Sequence, residues 1–250
     1  MLKSFYDPSP CILNPCELVH TFTKKTQEDL KLPKRAVIVF SVGDLRHLLG
    51  RLKHNIVHAW SGFRSIYKIE GKETIVTRSV FGGPNIAALV EELACFGVEE
   101  IFVWGYCGGI KDGLNLGDII AIEGALREDG VSYHYLGDNE DDIVWTTWLG
   151  YLENELKGYD FIKGIIWSCD AIYRETEEKI NSYKKRGIQA VEMEVASFYS
   201  VCRYRDIKGI AFVVVSDLLT DKKWIGGFHD ESFKKGAKRL LEFIIEKVIS

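Results

Sequence analysis

"GIQAVEMEVASFYSVC", residues 187–202, sets two carboxylates, Glu192 and Glu194, on either side of Met193 in an otherwise apolar run. An ionised carboxylate left unpaired in an apolar interior is strongly penalised, so such a run needs partners for its charge. On one reading the run straddles a strand end and a helix start, and both carboxylates sit in a first turn favoured by the helix dipole. On the other, they grip a ligand rich in hydroxyls.

Outward from this junction the same pattern repeats. "RAVIVFSV" (35–42) reads as a buried strand ending in Gly43-Asp44, and "SIYKIEGKETIVTRSV" (65–80) as a hairpin turning at Glu70-Gly71. "FGGPNIAALVEELACFGV" (81–98) is a glycine turn and a helix with Ile86, Leu89, Val90 and Leu93 on one face. "EEIFVWGYCGG", "GDIIAIEGAL" (117–126), "FIKGIIWSC" (161–169) and "IKGIAFVVVSD" (207–217) read as further strands. Helices are expected over "TTWLGYLENELKG", over 175–187, from the Glu-Met-Glu stretch to about Arg205, and over 230–248. Strands bounded by glycine and alternating with helices indicate an α/β fold with its site at the carboxyl ends of the strands. The hairpin breaks pure parallel winding, so the sheet should be mixed. A single domain over 35–250 follows an irregular N-terminal extension, 1–34, packed upon it. If the strand ends line one crevice, it holds Asp44, Asp170, Glu192, Glu194 and Asp217, which suits a polyol or sugar better than a naked phosphate.

Composition agrees with an ordinary globular chain of 250 residues, 46% hydrophobic and 27% charged. A net charge of −4 with scattered Lys and Arg provides no field for nucleic acid. No apolar run reaches the roughly 18 residues of a membrane span. Charges and prolines in "MLKSFYDPSPCILNP" do not fit a signal peptide, so a cytoplasmic location is expected. The cysteines, Cys11, Cys16, Cys95, Cys107, Cys169 and Cys202, lack metal-binding spacing. They read as reduced, mostly buried thiols, with a Cys11–Cys16 bridge as the alternative. No metal and no organic cofactor is expected.

"AVEMEVASFY" (190–199), "FGGPNIAALVEEL" (81–93), "GYCGGIKDGLNLGDIIA" (105–121) and "VVSD" (214–217) stand in the order and spacing of motifs in nucleoside phosphorylase family I. The chain resembles that family from Arg35 to the C-terminus. Its members include purine nucleoside phosphorylases, uridine phosphorylases and the methylthioadenosine/S-adenosylhomocysteine nucleosidases. The resemblance implies a mixed sheet curled into a distorted barrel flanked by helices. It also implies homo-oligomers, dimers or hexamers of dimers, with sites completed across an interface.

For the site, the resemblance implies that Glu194 holds the ribose 2′- and 3′-hydroxyls, with Met193 under the sugar and Glu192 close by. A carboxylate so placed also stabilises positive charge growing on the ribosyl ring. Asp217 falls where purine-specific members keep the acid that protonates N7 of the leaving base; the alternative is a capping role. Cys107, Gly108, Ile172 and Tyr173 are expected around the base, with Ile172 where a Phe is common. The uracil-recognising Gln and Arg of uridine phosphorylases are replaced by Thr176 and Glu178. His20 corresponds to a histidine that reaches a partner's ribose.

The phosphate site departs from the family pattern of a glycine turn and three arginines. Gly43 supplies the glycine; Arg46, or His47 without a gap, takes the next position; His58 and Val103 stand at the other two. Tyr106 replaces the usual small hydroxyl. The readings are therefore phosphorolysis of a nucleoside, most simply a purine nucleoside with phosphate as co-substrate, or phosphate-independent hydrolysis. A uridine phosphorylase and a non-catalytic nucleoside-binding protein on the same fold complete the alternatives.

Overall fold

Apolar β-branched runs build the centre of the molecule. The computed structural model describes residues 5–57, 64–137, 141–220 and 223–249. In chain order the strands are β1 (Arg35–Val39), β2 (His54–Ile56), β3 (Ile66–Ile69), β4 (Thr74–Arg78), β5 (Glu100–Gly109), β6 (Ile119–Glu128), β7 (Ile143–Trp145), β8 (Ile162–Cys169), β9 (Ala190–Glu192), β10 (Lys208–Thr220) and β11 (Lys223–Gly226). The α-helices are α1 (Pro15–Thr23), α2 (Val42–Leu49), α3 (Gly83–Cys95), α4 (Ser132–Tyr135), α5 (Leu149–Asn154), α6 (Glu177–Lys185), α7 (Val195–Tyr204) and α8 (Glu231–Phe243). A 3₁₀ turn covers Ile172–Arg174, and α8 continues as a π-helical stretch, Ile244–Ile249.

The strands form one mixed sheet. Starting from β5, pairing runs through β9, β8, β6 and β10 and back to β5, closing a five-stranded barrel. From its outer edge β1, β4, β3 and β2 extend as an open wing. β5 carries the geometry that matters. Along one edge it pairs with β10 from Glu100 to Gly109. Its other edge is held by β1 only as far as Trp104 and by β9 only from Gly108. The ladder on that edge is open between the two, at Gly105–Cys107.

Both faces of the sheet are covered. Ile38, Val103, Ala211 and Val213 pack with α3 and α7 residues such as Leu89, Val90 and Phe198. Val37, Val39, Val76, Trp104 and Phe212 pack on the other side against Leu45 and Leu48 of α2 and Leu240 and Phe243 of α8.

Several local expectations change. Gly43-Asp44 does not end the first strand; it lies in α2, whose N-cap Ser41 accepts from the Asp44 N–H at 3.0 Å. The segment 1–34 is not irregular throughout, since Asn14 caps α1 by accepting from the Cys16 N–H. Cys16 is not a free thiol and does not bridge to Cys11. It pairs with Cys95 at the end of α3, with a Cα–Cα separation of 5.8 Å, a span a disulfide bridges without backbone movement. Cys11 is exposed and free, while Cys107, Cys169 and Cys202 are the buried thiols the sequence suggested.

Candidate active site

Gly108 is the pivot of the candidate site. It pairs with Asp217 of β10 on one side and with Val191 of β9 on the other. The Asp217 strand and the Glu192–Glu194 junction are thus brought together across one residue, although they are far apart in sequence. A β-bulge between Val215 and Asp217 turns the acid toward Gly108. A Cβ at position 108 would stand 3.1 Å from Asp217 Oδ2 and 2.4 Å from Leu219 Cδ1, so the close approach requires glycine.

Glu192 and Glu194 are both buried, each 7% exposed, yet their partners differ. Glu192 Oε2 accepts from the N–H groups of Glu194 (2.6 Å) and Val195 (2.9 Å), and its Oε1 is paired with Ser168 Oγ. Ser168 Oγ in turn accepts from Ala196 N–H at 2.8 Å. Glu192 therefore satisfies the opening turn of α7. Burial, and then the charge of Glu194, push its carboxyl up to about 8. Glu194 stands just before α7, and its Oε1 accepts from Gly82 N–H at 2.6 Å, at the turn into α3. Burial raises its pKa as well. Met193, between them, is half-buried.

Asp217 is held by two donors: Ser216 Oγ at 2.7 Å on Oδ1 and the Trp224 indole N–H at 2.8 Å on Oδ2. Glu175 also faces it. Burial, and then the charge of Asp217, raise the Glu175 carboxyl to about 7. The Cys107 thiol is pushed up by burial and then by Asp217 and Glu192. Asp170, which follows β8, accepts from Gly130 N–H at 2.7 Å, and burial raises its pKa.

Other expected residues lie elsewhere or are engaged otherwise. Ile172 and Tyr173 are 54% and 94% exposed on the 3₁₀ turn, so neither forms a closed wall within one chain. Tyr106 does not offer a free hydroxyl to phosphate: its O–H donates to Asp44 Oδ1 at 2.6 Å, and burial raises the Asp44 pKa. Arg46 and His47 are exposed on α2. His58 lies outside the described residues. His20 sits on α1, which packs against α3 and is tied to its far end, with Nδ1 3.0 Å from Lys25 O. The length of α3, about 20 Å for its 13 residues, separates that end from Gly82 and Glu194 of the same chain. Trp224, Glu175, Ser168 and Gly82 were not singled out in the sequence. Only Gly82 carried a local sign, the paired glycines before Pro84. Among the described residues no group of three or more His, Cys, Asp or Glu is placed to hold a metal ion, and no helix is long and apolar enough to cross a membrane.

The arrangement is one of paired carboxylates and a donor-held aspartate at the carboxyl ends of barrel strands, and comparison with known proteins agrees with it. The sequence profile described as "Phosphorylase superfamily" matches residues 34–250. An uncharacterised protein of Acanthamoeba polyphaga mimivirus is 32% identical over 145 residues, 58% of this chain and 57% of that protein, so the match spans little more than half of that relative. The guanosine phosphorylase of Halorubrum lacusprofundi is 27% identical over 177 residues, 69% of this chain and 73% of that protein. The crystal structure of purine nucleoside phosphorylase from Toxoplasma gondii in complex with immucillin-H superimposes with a TM-score of 0.77 at 19% identity, covering 89% of this chain and 92% of that one. The fold is that of the nucleoside phosphorylases. The chain belongs to the phosphorylase superfamily.

Proposed function

We propose that this protein cleaves the N-glycosidic bond of a purine nucleoside by phosphorolysis, releasing the free base and ribose 1-phosphate. The observation that carries the reading is the placement of Asp217 beside Gly108, directly across β5 from the Glu192–Glu194 junction. Glu194, anchored by one oxygen on Gly82, offers its other oxygen to the ribose hydroxyls, and Met193 packs beneath the ring. A phosphate oxygen attacks the anomeric carbon, the bond to N9 breaks, and its electron pair passes to the base. A proton from Asp217 to N7 makes that base a better leaving group. The negative charge at Glu194 stabilises the cationic ribosyl group as it forms. Inorganic phosphate is the only co-substrate in this scheme, and no cofactor takes part. The family's homo-oligomeric assembly and a cytoplasmic location are part of the same proposal.

Phosphate-independent hydrolysis is the second reading. One observation favours it: the Tyr106 hydroxyl, at the position of a family phosphate contact, is spent on Asp44. Product analysis decides between them, using inosine, guanosine, adenosine, methylthioadenosine and uridine, each with and without phosphate. Purine release only with phosphate, alongside ribose 1-phosphate, is expected. Free ribose without phosphate would make the protein a nucleosidase, and release of uracil alone would make it a uridine phosphorylase. Binding without cleavage would leave the non-catalytic reading.

A further inference from the structure

Phosphorolysis needs a cationic anion trap, and this chain lacks most of the arginines its resemblance led one to expect. Val103, at one of those positions, is buried in the core, and Arg46 is exposed on α2. The structure contains a different guanidinium at the right edge. Arg78 is the last residue of β4, in register with Val39, the last residue of the parallel strand β1. Alternation along β4 places it on the same face as Val76, the face covered by α2.

Its partners set it apart from five of the other arginines. Arg35, Arg51, Arg64, Arg186 and Arg205 each pair with a carboxylate. Arg78 is half-buried, and no carboxylate among the described residues lies within ion-pair distance of it. Among the described residues its Nη1 alone makes hydrogen bonds, long ones to the carbonyl oxygens of Phe40 (3.4 Å) and Ser79 (3.3 Å). The guanidinium fork has five N–H groups, so most of it is left for another acceptor. A fixed, partly desolvated cation without a counter-charge favours an anion.

What stands beside it is suited to one. Phe40 immediately precedes Ser41, the N-cap of α2, so the guanidinium lies at the opening of that helix. Val42 and Gly43, both exposed, open the helix and present first-turn N–H groups. From Arg78 the chain needs only four residues, about 14 Å at full extension, to reach Gly82 and its bond to Glu194.

We propose that Arg78 is the anion-binding arginine of this protein, holding inorganic phosphate between its guanidinium fork and the N-terminus of α2. Arg78 here takes over from the family's arginine positions the charge that this chain no longer places there. The inference rests on the phosphorolysis reading, but one of its tests does not.

The test measures initial rates of inosine phosphorolysis against both substrates in wild type, Arg78→Gln and Arg78→Lys. Arg78→Gln should raise the phosphate KM at least about tenfold, the scale of losing charge-assisted hydrogen bonds, and leave the inosine KM within about twofold. Arg78→Lys, which keeps the charge but not the fork, should fall between the two. Thermal unfolding with and without inorganic phosphate supplies the second readout: phosphate should raise the Tm of wild type and not that of Arg78→Gln. An unchanged phosphate KM in a folded Arg78→Gln would overturn the assignment. If Arg78→Gln does not fold, an unchanged phosphate KM in Arg78→Lys does the same. Should wild type release base without any need for phosphate, phosphorolysis itself fails. The thermal shift then decides alone: a shift lost in the variant upholds an anion site at Arg78, and a shift retained there, or absent from wild type, refutes it.

Discussion

Two glutamates two residues apart end with different partners, and the local chain geometry explains why. Glu192 faces the opening turn of α7 and is saturated by Ser168 and two backbone N–H groups. Glu194 reaches toward Gly82, whose N–H donates to its Oε1. The Glu192 carboxyl, raised from 4.5 to about 8, keeps its proton at neutral pH, and burial raises Glu194 as well. The folded state keeps a proton that the unfolded chain releases near 4.5, so this residue's contribution to stability is lost as pH rises from 4.5 through 8. Replacing Glu192 by Gln preserves the shape and removes the titration. Thermal melts between pH 5 and 8.5 should therefore fall less steeply for Glu192→Gln than for wild type, and parallel curves would refute the raised Glu192 pKa. Asp217 is held from both sides: Oδ1 accepts from Ser216 Oγ and Oδ2 from the Trp224 indole N–H. Trp224→Phe should lower kcat/KM for inosine about tenfold, the worth of a hydrogen bond to a charged group. It should spare an N7-methylated purine nucleoside, whose base leaves without protonation. Equal losses on both substrates would mean that Trp224 acts only as a wall.

At the scale of elements, the turn into α3 links helix packing to the candidate sugar site. Gly82 adopts φ 98°, ψ 149°, which residues with a Cβ rarely adopt, and there its N–H points at Glu194. Gly82→Ala should cost about 1–3 kcal/mol of stability and also raise the nucleoside KM, because the strain is relieved by turning that N–H away. Gly71, in the β3–β4 turn with φ 72°, is the control. Alanine there should lower the Tm through the same kind of backbone strain but leave KM alone. A KM unchanged in Gly82→Ala would show that Glu194 is oriented without this contact. The long elements were legible because their signals are local. β5, β6, β8 and β10 each contain a long apolar run, mostly buried, and α3 and α8 keep a helical apolar period. α2 was missed because its apolar residues merge with the end of β1, although Ser41 three residues ahead of Asp44 is a capping pattern. The short strands β2, β7 and β11 have no such signal. They exist only through their pairings with β3, β6 and β10, and β11 is what brings Trp224 to Asp217.

The whole molecule decides what no window of sequence shows, namely which strand ends meet. The carboxylates at 192, 194 and 217 were readable as junction residues, but their convergence depends on β5 pairing with β10 across roughly a hundred residues and on β9 taking over the edge that β1 leaves. The same long-range closure gives the N-terminal segment its place. Residues before 34 lie outside the stretch that matches the phosphorylase superfamily, yet α1 packs on α3 through the Cys16–Cys95 pair, and Leu32 N–H donates to Phe96 O at 2.9 Å. Gln27 Nε2 donates to Cys95 O at 2.5 Å, so the segment is fastened to one end of α3 at several points. A bridge between residues 79 apart in sequence removes much freedom from the unfolded state, worth roughly 2–4 kcal/mol in typical proteins. Cys16→Ser should accordingly lower the Tm by several degrees in the absence of reductant, and dithiothreitol should bring wild type down to the variant. Peptide mapping under non-reducing conditions should recover Cys16 joined to Cys95, with Cys11 open to alkylation in the native state. Free thiols at 16 and 95, together with a Tm indifferent to reductant, would mean that α1 is held by its packing and hydrogen bonds alone.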